Sequence, residues 1–203
     1  EFSRNALEVM RQPLEEGSIT IARAAGTVTY PARFMLVASM NPCPCGYRGS
    51  RTNDCRCDDA TVAKYVAKLS GPLLDRIDLH VTVARVSFEE MVGGEAVESS
   101  ATIRRRVEAA RDRQRQRLLP FDIACNAEIG AADVRCICGL DGGSMELLHA
   151  AMTRGSVSAR AFDRIARVAR TIADLDGADQ IGRTHLAEAL LYRSIDRTLS
   201  TRP

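Results

Sequence analysis

The run Phe34 to Met40 (FMLVASM) restricts the fold of this chain more than any other stretch. It has the length of one strand and no polar alternation, which is typical of a central parallel strand buried on both faces. Asn41 follows it directly, at the end of the predicted strand where ligand sites of parallel α/β sheets gather. A side-chain amide there can orient a water or a phosphate oxygen, although Asn before Pro is also a common turn former.

The remaining pattern divides the chain into two parts. Residues 18–30 alternate apolar and polar side chains around 24–26, which predicts a β-hairpin, and 77–83 alternates like a strand covered on one face. From residue 101 onward the period is helical. We therefore predict an α/β domain at 1–83, a polar linker at 84–100 and an all-α domain at 101–203. The predicted helices span 5–12, 60–69, 103–118, 131–138, 143–154, 159–175 and 183–193.

Four of the seven cysteines stand close behind Asn41 in two Cys-x-Cys pairs, Cys43 with Cys45 and Cys55 with Cys57. Four thiolates on two short turns can close a tetrahedral zinc shell. Free thiols or disulfides remain the alternative, because Cys-x-x-Cys is the commoner metal-binding spacing. The other three cysteines have apolar neighbours on predicted helices, so we expect Cys125, Cys136 and Cys138 to be buried.

Two arginines stand where the local sequence does not account for them. Arg76 lies in the turn LLDRID between two aspartates. One interpretation is a local salt bridge that contributes little to stability; the other is a guanidinium held ready for an anion, as in an arginine finger. Arg160 lies in the first turn of the helix predicted at 159–175, where a cation opposes the helix dipole unless an anionic ligand reverses the sign. Arg160, Arg164 and Arg167 share one side of this helix. If no anion binds there, this side is a basic face in contact with solvent.

Composition excludes several classes of protein. The 203 residues are 45% hydrophobic and 27% charged, with a net charge of +2, and the longest apolar runs fall short of a membrane span. The first residues carry no export signal, so we expect a cytoplasmic protein without a membrane partner whose thiols stay reduced. The chain contains neither a phosphate-cradling Gly-x-x-x-x-Gly-Lys-Ser/Thr loop nor an acidic strand end for Mg²⁺.

Three separated segments of the chain together resemble one known family. They are LEVMRQPLEEGSITIARAAGTVTYPARFMLVASMNPCPCG, LSGPLLDRIDLHV and SARAFDRIARVARTIADL. The resemblance is to the magnesium-chelatase-like AAA+ ATPases of bacteria, the ComM (YifB) competence family. It implies the C-terminal part of a AAA+ core, with a helical lid domain of magnesium-chelatase type, preceded in a longer protein by the Walker A and Walker B motifs.

The resemblance also implies roles for individual residues. Asn41 matches sensor 1, which helps to place the attacking water, and Arg76 matches the arginine finger that reaches the nucleotide of a neighbouring subunit. Arg160 matches the sensor 2 arginine that contacts nucleotide phosphates, with Arg164 as second choice. Arg23, in the hairpin before sensor 1, is then a candidate for substrate contact. The cofactors implied are ATP and Mg²⁺, and the partners are further copies in a hexameric ring and DNA.

Three functions follow from the residues and the resemblance. The first is part of a DNA-remodelling ATPase, a branch-migration helicase in competence, and it is favoured by the double Cys-x-Cys loop between sensor 1 and the finger. The second is the motor subunit of a magnesium chelatase that inserts metal into a porphyrin. The third is a zinc-stabilised binding module without catalysis. We expect the chain alone to have no ATPase activity.

Overall fold

The computed structural model describes residues 2–50, 54–84, 86, 88–93, 98–153 and 159–193. The chain forms two compact units, Glu1–Ile77 and Asp78–Pro203. Among the described residues, no helix is both long enough and apolar enough to cross a membrane.

The first unit opens with two short helices that lead into a β-hairpin. Helix α1 spans Arg4–Val9 and helix α2 spans Arg11–Glu16. Pro13 is tolerated in the first turn of α2, because a backbone N–H there has no partner within the helix. Gly17 ends α2 with a φ of 62°, and a Cβ at this position would lie 2.9 Å from Cγ of Arg33. Only glycine fits this turn without strain.

The predicted hairpin is present. Strand β1 (Ser18–Arg23) pairs antiparallel with strand β2 (Gly26–Pro31), with Ile19 opposite Tyr30 and Thr20 opposite Thr29. The threonine hydroxyls lie 3.0 Å apart on one face. The other face is apolar, and Ile19, Ile21, Val28 and Tyr30 are all exposed on it.

The parallel strand predicted at 34–40 and the strand predicted at 77–83 do not form. The hairpin is the one sheet among the described residues, and both segments lack strand structure, with Met35 88% and Val37 82% exposed. A strand is completed by hydrogen bonds to a neighbouring strand, and the described residues offer these segments none. The structure is therefore mixed α and β, with a small antiparallel sheet and many helices.

Two helices complete the first unit. Helix α3 spans Asp59–Val66, and the Asp58 carboxylate caps it by accepting from the Thr61 N–H at 2.7 Å. Helix α4 spans Gly71–Leu74 and begins at Ser70, whose hydroxyl accepts from the Leu73 N–H at 3.3 Å. The turn that carries Arg76 follows α4 directly.

The regular secondary structure described in the second unit is helical. Its helices are α5 (Phe88–Val92), α6 (Ser100–Leu118), α7 (Val134–Cys138), α8 (Gly142–Thr153), α9 (Ala159–Leu175) and α10 (Arg183–Leu191), with 3₁₀ turns at Leu119–Phe121 and Asn126–Glu128. Helix α9 lies at the centre and contacts α6, α7 and α10. Its buried positions recur at helical spacing and form the core with Leu118, Ile129, Leu148 and Leu186.

A buried ionic network fixes α9 to its neighbours. The Asp174 carboxylate accepts from Arg117 at 2.7 and 2.6 Å, from Arg170 Nε at 3.2 Å and from Asn126 Nδ2 at 2.9 Å. Arg170 also donates to the carbonyls of Ala178 and Asp179 just beyond the helix. Every partner of the buried carboxylate is a donor, so the charge is compensated inside the core.

The three cysteines of this unit differ in exposure. Cys138 is buried in the core, where burial raises the pKa of its thiol to about 11. Cys125 is partly buried. The burial expected for Cys136 was wrong: Cys136 is exposed on α7, because the side chains two positions apart on a helix do not share a face.

Candidate metal centre and adjoining polar residues

The four cysteines of the Cys-x-Cys pairs come together at one point. The sulfurs of Cys43, Cys45, Cys55 and Cys57 all lie within 4.8 Å of one another. The Sγ of Cys43 is 3.3 Å from that of Cys45 and 3.6 Å from that of Cys55, and Cys45 and Cys55 are also 3.6 Å apart. A regular tetrahedron with metal–sulfur bonds of 2.3 Å has sulfur–sulfur edges of about 3.8 Å, so the cluster nearly has the size of a zinc shell.

Turns in the backbone bring the first pair of sulfurs together. Gly46 has a φ of 79° and donates its N–H to the Cys43 carbonyl at 3.0 Å. Gly49 has a φ of 78°. These left-handed conformations are open to glycine and rarely to other residues. Arg48 then ties the loop to α3 through an ion pair of 2.9 Å with Asp59.

The environment of the cluster shifts the pKa values of its thiols in opposite directions. The backbone N–H groups of Tyr47 and Arg56, and then the Cys43 thiol, lower the pKa of the Cys45 thiol to about 6. The pKa of Cys57 is raised to about 11: the Cys45 N–H favours its thiolate, but the side-chain contact with Cys45 and burial favour the thiol. Four sulfurs and no oxygen form the donor set, which suits Zn²⁺.

Asn41 lies beside this loop. Its side chain is exposed, and a Cβ on Gly46 would lie 3.8 Å from its Nδ2 atom. The candidate sensor residue and the cysteine loop are therefore neighbours in space as well as in sequence.

Arg76 is held by its own unit. Its Nε lies 2.6 Å from a carboxylate oxygen of Glu15 in α2, and its Nη1 donates to the Pro72 carbonyl at 2.6 Å. The side chain is 14% exposed. These contacts fix the guanidinium at a defined place after α4, which is the condition for directional binding of an anion.

The candidate arginines of the second unit lie on α9. Arg164 forms an ion pair of 2.6 Å with Asp78. The backbone of Arg160 belongs to the first turn of α9, and its side chain lies outside the described residues. Arg23 lies at the end of β1, opposite Gly26, and is exposed at the tip of the hairpin.

Sequence reasoning missed the partners of these arginines. Glu15 and Asp78 are acidic residues far along the chain from Arg76 and Arg164 respectively, and no local pattern pairs them. For Arg164, the sequence offered one indication of its partner: Asp78 belongs to the motif LLDRID that the sequence analysis had already singled out.

Comparison with known proteins defines the class. Residues 1–91 match the family model described as magnesium chelatase, subunit ChlI, and residues 97–193 match the model of the ChlI C-terminal region. The chain belongs to the magnesium-chelatase-like family, as the sequence motifs predicted.

The chain is also similar to individual proteins along nearly its whole length. The chain is 42% identical over 203 residues to the uncharacterized protein YifB of Escherichia coli, and 40% identical over 200 residues to the competence protein ComM of Haemophilus influenzae. Each similarity covers 98% of this chain and 38% of the relative. The chain thus spans well under half the length of these relatives.

Proposed function

We propose that this chain is the sensor and lid portion of a cytoplasmic, ring-forming AAA+ ATPase that couples ATP hydrolysis to DNA remodelling of the kind required in competence. One observation carries the proposal: the similarity to a competence protein extends along 98% of the chain. The cysteine cluster between Asn41 and Arg76 supports it, because four converging sulfurs would hold a structural zinc in the loop that joins the two residues.

The resemblance to AAA+ ATPases supplies the chemical roles that we propose for the polar side chains. Asn41 orients the attacking water through its amide, and Arg76 of one subunit offers its charge to the phosphate that is cleaved in the next. Arg160, with Arg164, binds phosphates from the lid, and Arg23 contacts the substrate. ATP with Mg²⁺ supplies the group that is hydrolysed. Arg76 must exchange Glu15 for the phosphate, and the exchange replaces one anion by another without leaving the guanidinium unpaired.

A magnesium chelatase motor is the second candidate, because both family models carry the name of the chelatase subunit ChlI. Such a motor uses the same sensor and finger residues and differs in the partner that receives the mechanical work. The third candidate, a binding module without catalysis, keeps the cysteine cluster and needs neither Asn41 nor Arg76.

The decisive experiment uses the full-length protein and the variant Arg76→Ala. We expect ATP turnover to fall at least about 100-fold, since an arginine finger contributes about 10³–10⁵ in rate, while binding of a non-hydrolysable ATP analogue persists. Arg115→Ala is the matched control, because Arg115 is an exposed arginine paired within its own helix. Full turnover in Arg76→Ala would show that Arg76 is no finger.

Substrate assays separate the three candidates. The DNA proposal predicts ATP-dependent branch migration of a labelled four-way junction. Magnesium insertion into a porphyrin without any effect on the junction would favour the chelatase, and the absence of ATP hydrolysis in the full-length protein would favour the binding module. We expect the chain alone to show no magnesium-dependent ATP hydrolysis.

A further inference from the structure

The boundary between the first unit and the second lies one residue after Arg76. The first unit ends at Ile77, and Asp78 is the first residue of the second. The segment that follows the candidate finger therefore belongs to the helical unit, although its sequence resembles a strand of the preceding domain. Whatever holds Asp78 also restrains the chain two residues after Arg76.

Two contacts fasten this segment within the second unit. The Asp78 carboxylate lies 2.6 Å from Nη1 of Arg164 on α9, with the arginine side chain 16% and the aspartate 47% exposed. Two residues later the His80 N–H donates to the carbonyl of Tyr192, just beyond α10, at 2.9 Å. The His80 side chain is itself buried. One anchor is therefore ionic and the other is a backbone hydrogen bond.

The Asp78 carboxylate interacts with a second arginine besides Arg164. Arg167 lies one helical turn after Arg164, and burial together with the charge of Arg164 lowers its pKa, while Asp78 and Asp163 act in the opposite direction. Asp78 thus compensates a pair of like charges on one side of α9. Asp78 and Arg167 line a cleft of about 630 Å³ in the second unit, so the Asp78 carboxylate has space in which to move.

We propose that Asp78 competes with nucleotide phosphate for Arg164 and so couples the lid helix to the segment that carries the finger Arg76. The inference rests on the proposed function and adds a positioning residue to it. Without nucleotide, Asp78 holds Arg164 and fixes the chain after the finger to α9. When a phosphate binds Arg164, Asp78 loses this partner, and residues 77–79 gain freedom while the His80 hydrogen bond keeps the next residue in place.

The proposal predicts that nucleotide affinity rises when Asp78 is neutralised, whereas a purely structural role for Asp78 would predict no such rise. Removing the charge of Asp78 removes the competitor, so nucleotide should bind more tightly even though a native ion pair is lost. In the wild type, nucleotide must displace Asp78 from Arg164, and the free energy of that displacement is subtracted from the free energy of nucleotide binding. The variant has no carboxylate to displace, so its gain in binding free energy equals that cost. In a subunit whose own site is empty, the segment after Arg76 is then no longer restrained through Asp78, so its finger should act less effectively on the neighbouring nucleotide.

The test measures binding of a non-hydrolysable ATP analogue to the full-length protein. We expect Asp78→Asn to lower the dissociation constant about 3- to 10-fold, corresponding to about 0.7–1.4 kcal/mol, and to lower kcat and KM for ATP together. Asp163→Asn is the matched control, because it removes the same charge beside Arg164. It should leave the dissociation constant within about twofold of the wild type. Asp78→Glu, which can keep the ion pair, should restore wild-type behaviour.

A double-mutant cycle shows whether the effect passes through Arg164. In an Arg164→Ala background, Asp78→Asn should no longer tighten binding. Unchanged or weaker binding in Asp78→Asn, or tightening that persists without Arg164, would overturn the proposal. A full-length protein that binds no nucleotide would overturn the proposed function and this inference with it. Normal binding with no response to Asp78→Asn would overturn the inference alone.

Discussion

Replacing Cys55 by serine tests the metal centre most directly. Cys55 lies 3.6 Å from the sulfurs of both Cys43 and Cys45, so it faces the middle of the cluster. Serine has nearly the same shape, but its neutral hydroxyl is a poor zinc ligand where a thiolate is a good one. The substitution therefore removes one donor and leaves the size of the side chain almost unchanged.

The expected loss can be worked from the geometry. The distances among the sulfurs of Cys43, Cys45 and Cys55, 3.3 to 3.6 Å, need to lengthen by only about 0.2–0.5 Å to match the edges of a zinc tetrahedron, and the Cys57 sulfur lies within 4.8 Å of the other three. Little of the binding energy is then spent on rearrangement. Structural zinc sites bind with about 10–16 kcal/mol, so each of four sulfurs supplies about 2.5–4 kcal/mol. Loss of one sulfur should weaken zinc binding about 100- to 1,000-fold.

The assay combines metal analysis with a chelator competition under reducing conditions. Wild-type protein should contain about one zinc per chain, and Cys55→Ser should lose it to a chromophoric chelator at a concentration that leaves the wild type loaded. Cys136→Ser is the control, because Cys136 is an exposed cysteine outside the cluster. A wild type that binds no zinc when supplied with it, or equal affinities in wild type and Cys55→Ser, would refute the assignment.

Three further predictions concern stability, each measured by urea unfolding of the purified protein. Gly17→Ala should cost about 1–2 kcal/mol, because φ is positive there and the new Cβ would lie 2.9 Å from Arg33; an unchanged midpoint would contradict this. Asp174→Asn should cost about 3–5 kcal/mol, since it leaves the buried Arg170 and the partly buried Arg117 without their counter-charge, whereas the exposed Asp112→Asn should cost under about 0.5 kcal/mol. Burial raises the pKa of Cys138 from 9.0 to about 11, so the folded state binds this proton more tightly, and stability falls as pH rises from 9 to 11. Relative to Cys138→Ala, wild type should lose about 2–3 kcal/mol between pH 8 and pH 11, and a constant difference would show that the thiol does not titrate as stated.

Elements defined by their own sequence were the predictable part of the fold. The hairpin formed within one residue of its predicted bounds, and α9 spans the predicted 159–175. Both depend on local periodicity and on turns. The strands at 34–40 and 77–83 depend on partners elsewhere, and the described residues provide none. The apolar pattern indicated that these segments can form strands, but a strand also needs backbone hydrogen bonds to a second strand.

The site followed the same division. Two Cys-x-Cys pairs predicted a cluster because each pair is local and one loop joins them, and their sulfurs do converge. The contacts that hold the arginines were beyond sequence reasoning. Arg164 and Asp78 are 86 residues apart, and many acidic residues of the chain were equally possible partners for it. Only the folded chain selects among them.

The position of Asn41 connects the metal centre to the proposed chemistry. Its amide lies against Gly46, and Gly46 is fixed by its left-handed backbone and by its hydrogen bond to the carbonyl of Cys43. Cys43 is buried among the sulfurs of the cluster. An exposed amide on a segment without strand structure has few restraints of its own. Its restraint on this side is the loop that the cysteines close, so an ion that orders the four sulfurs would also order the surface on which Asn41 rests.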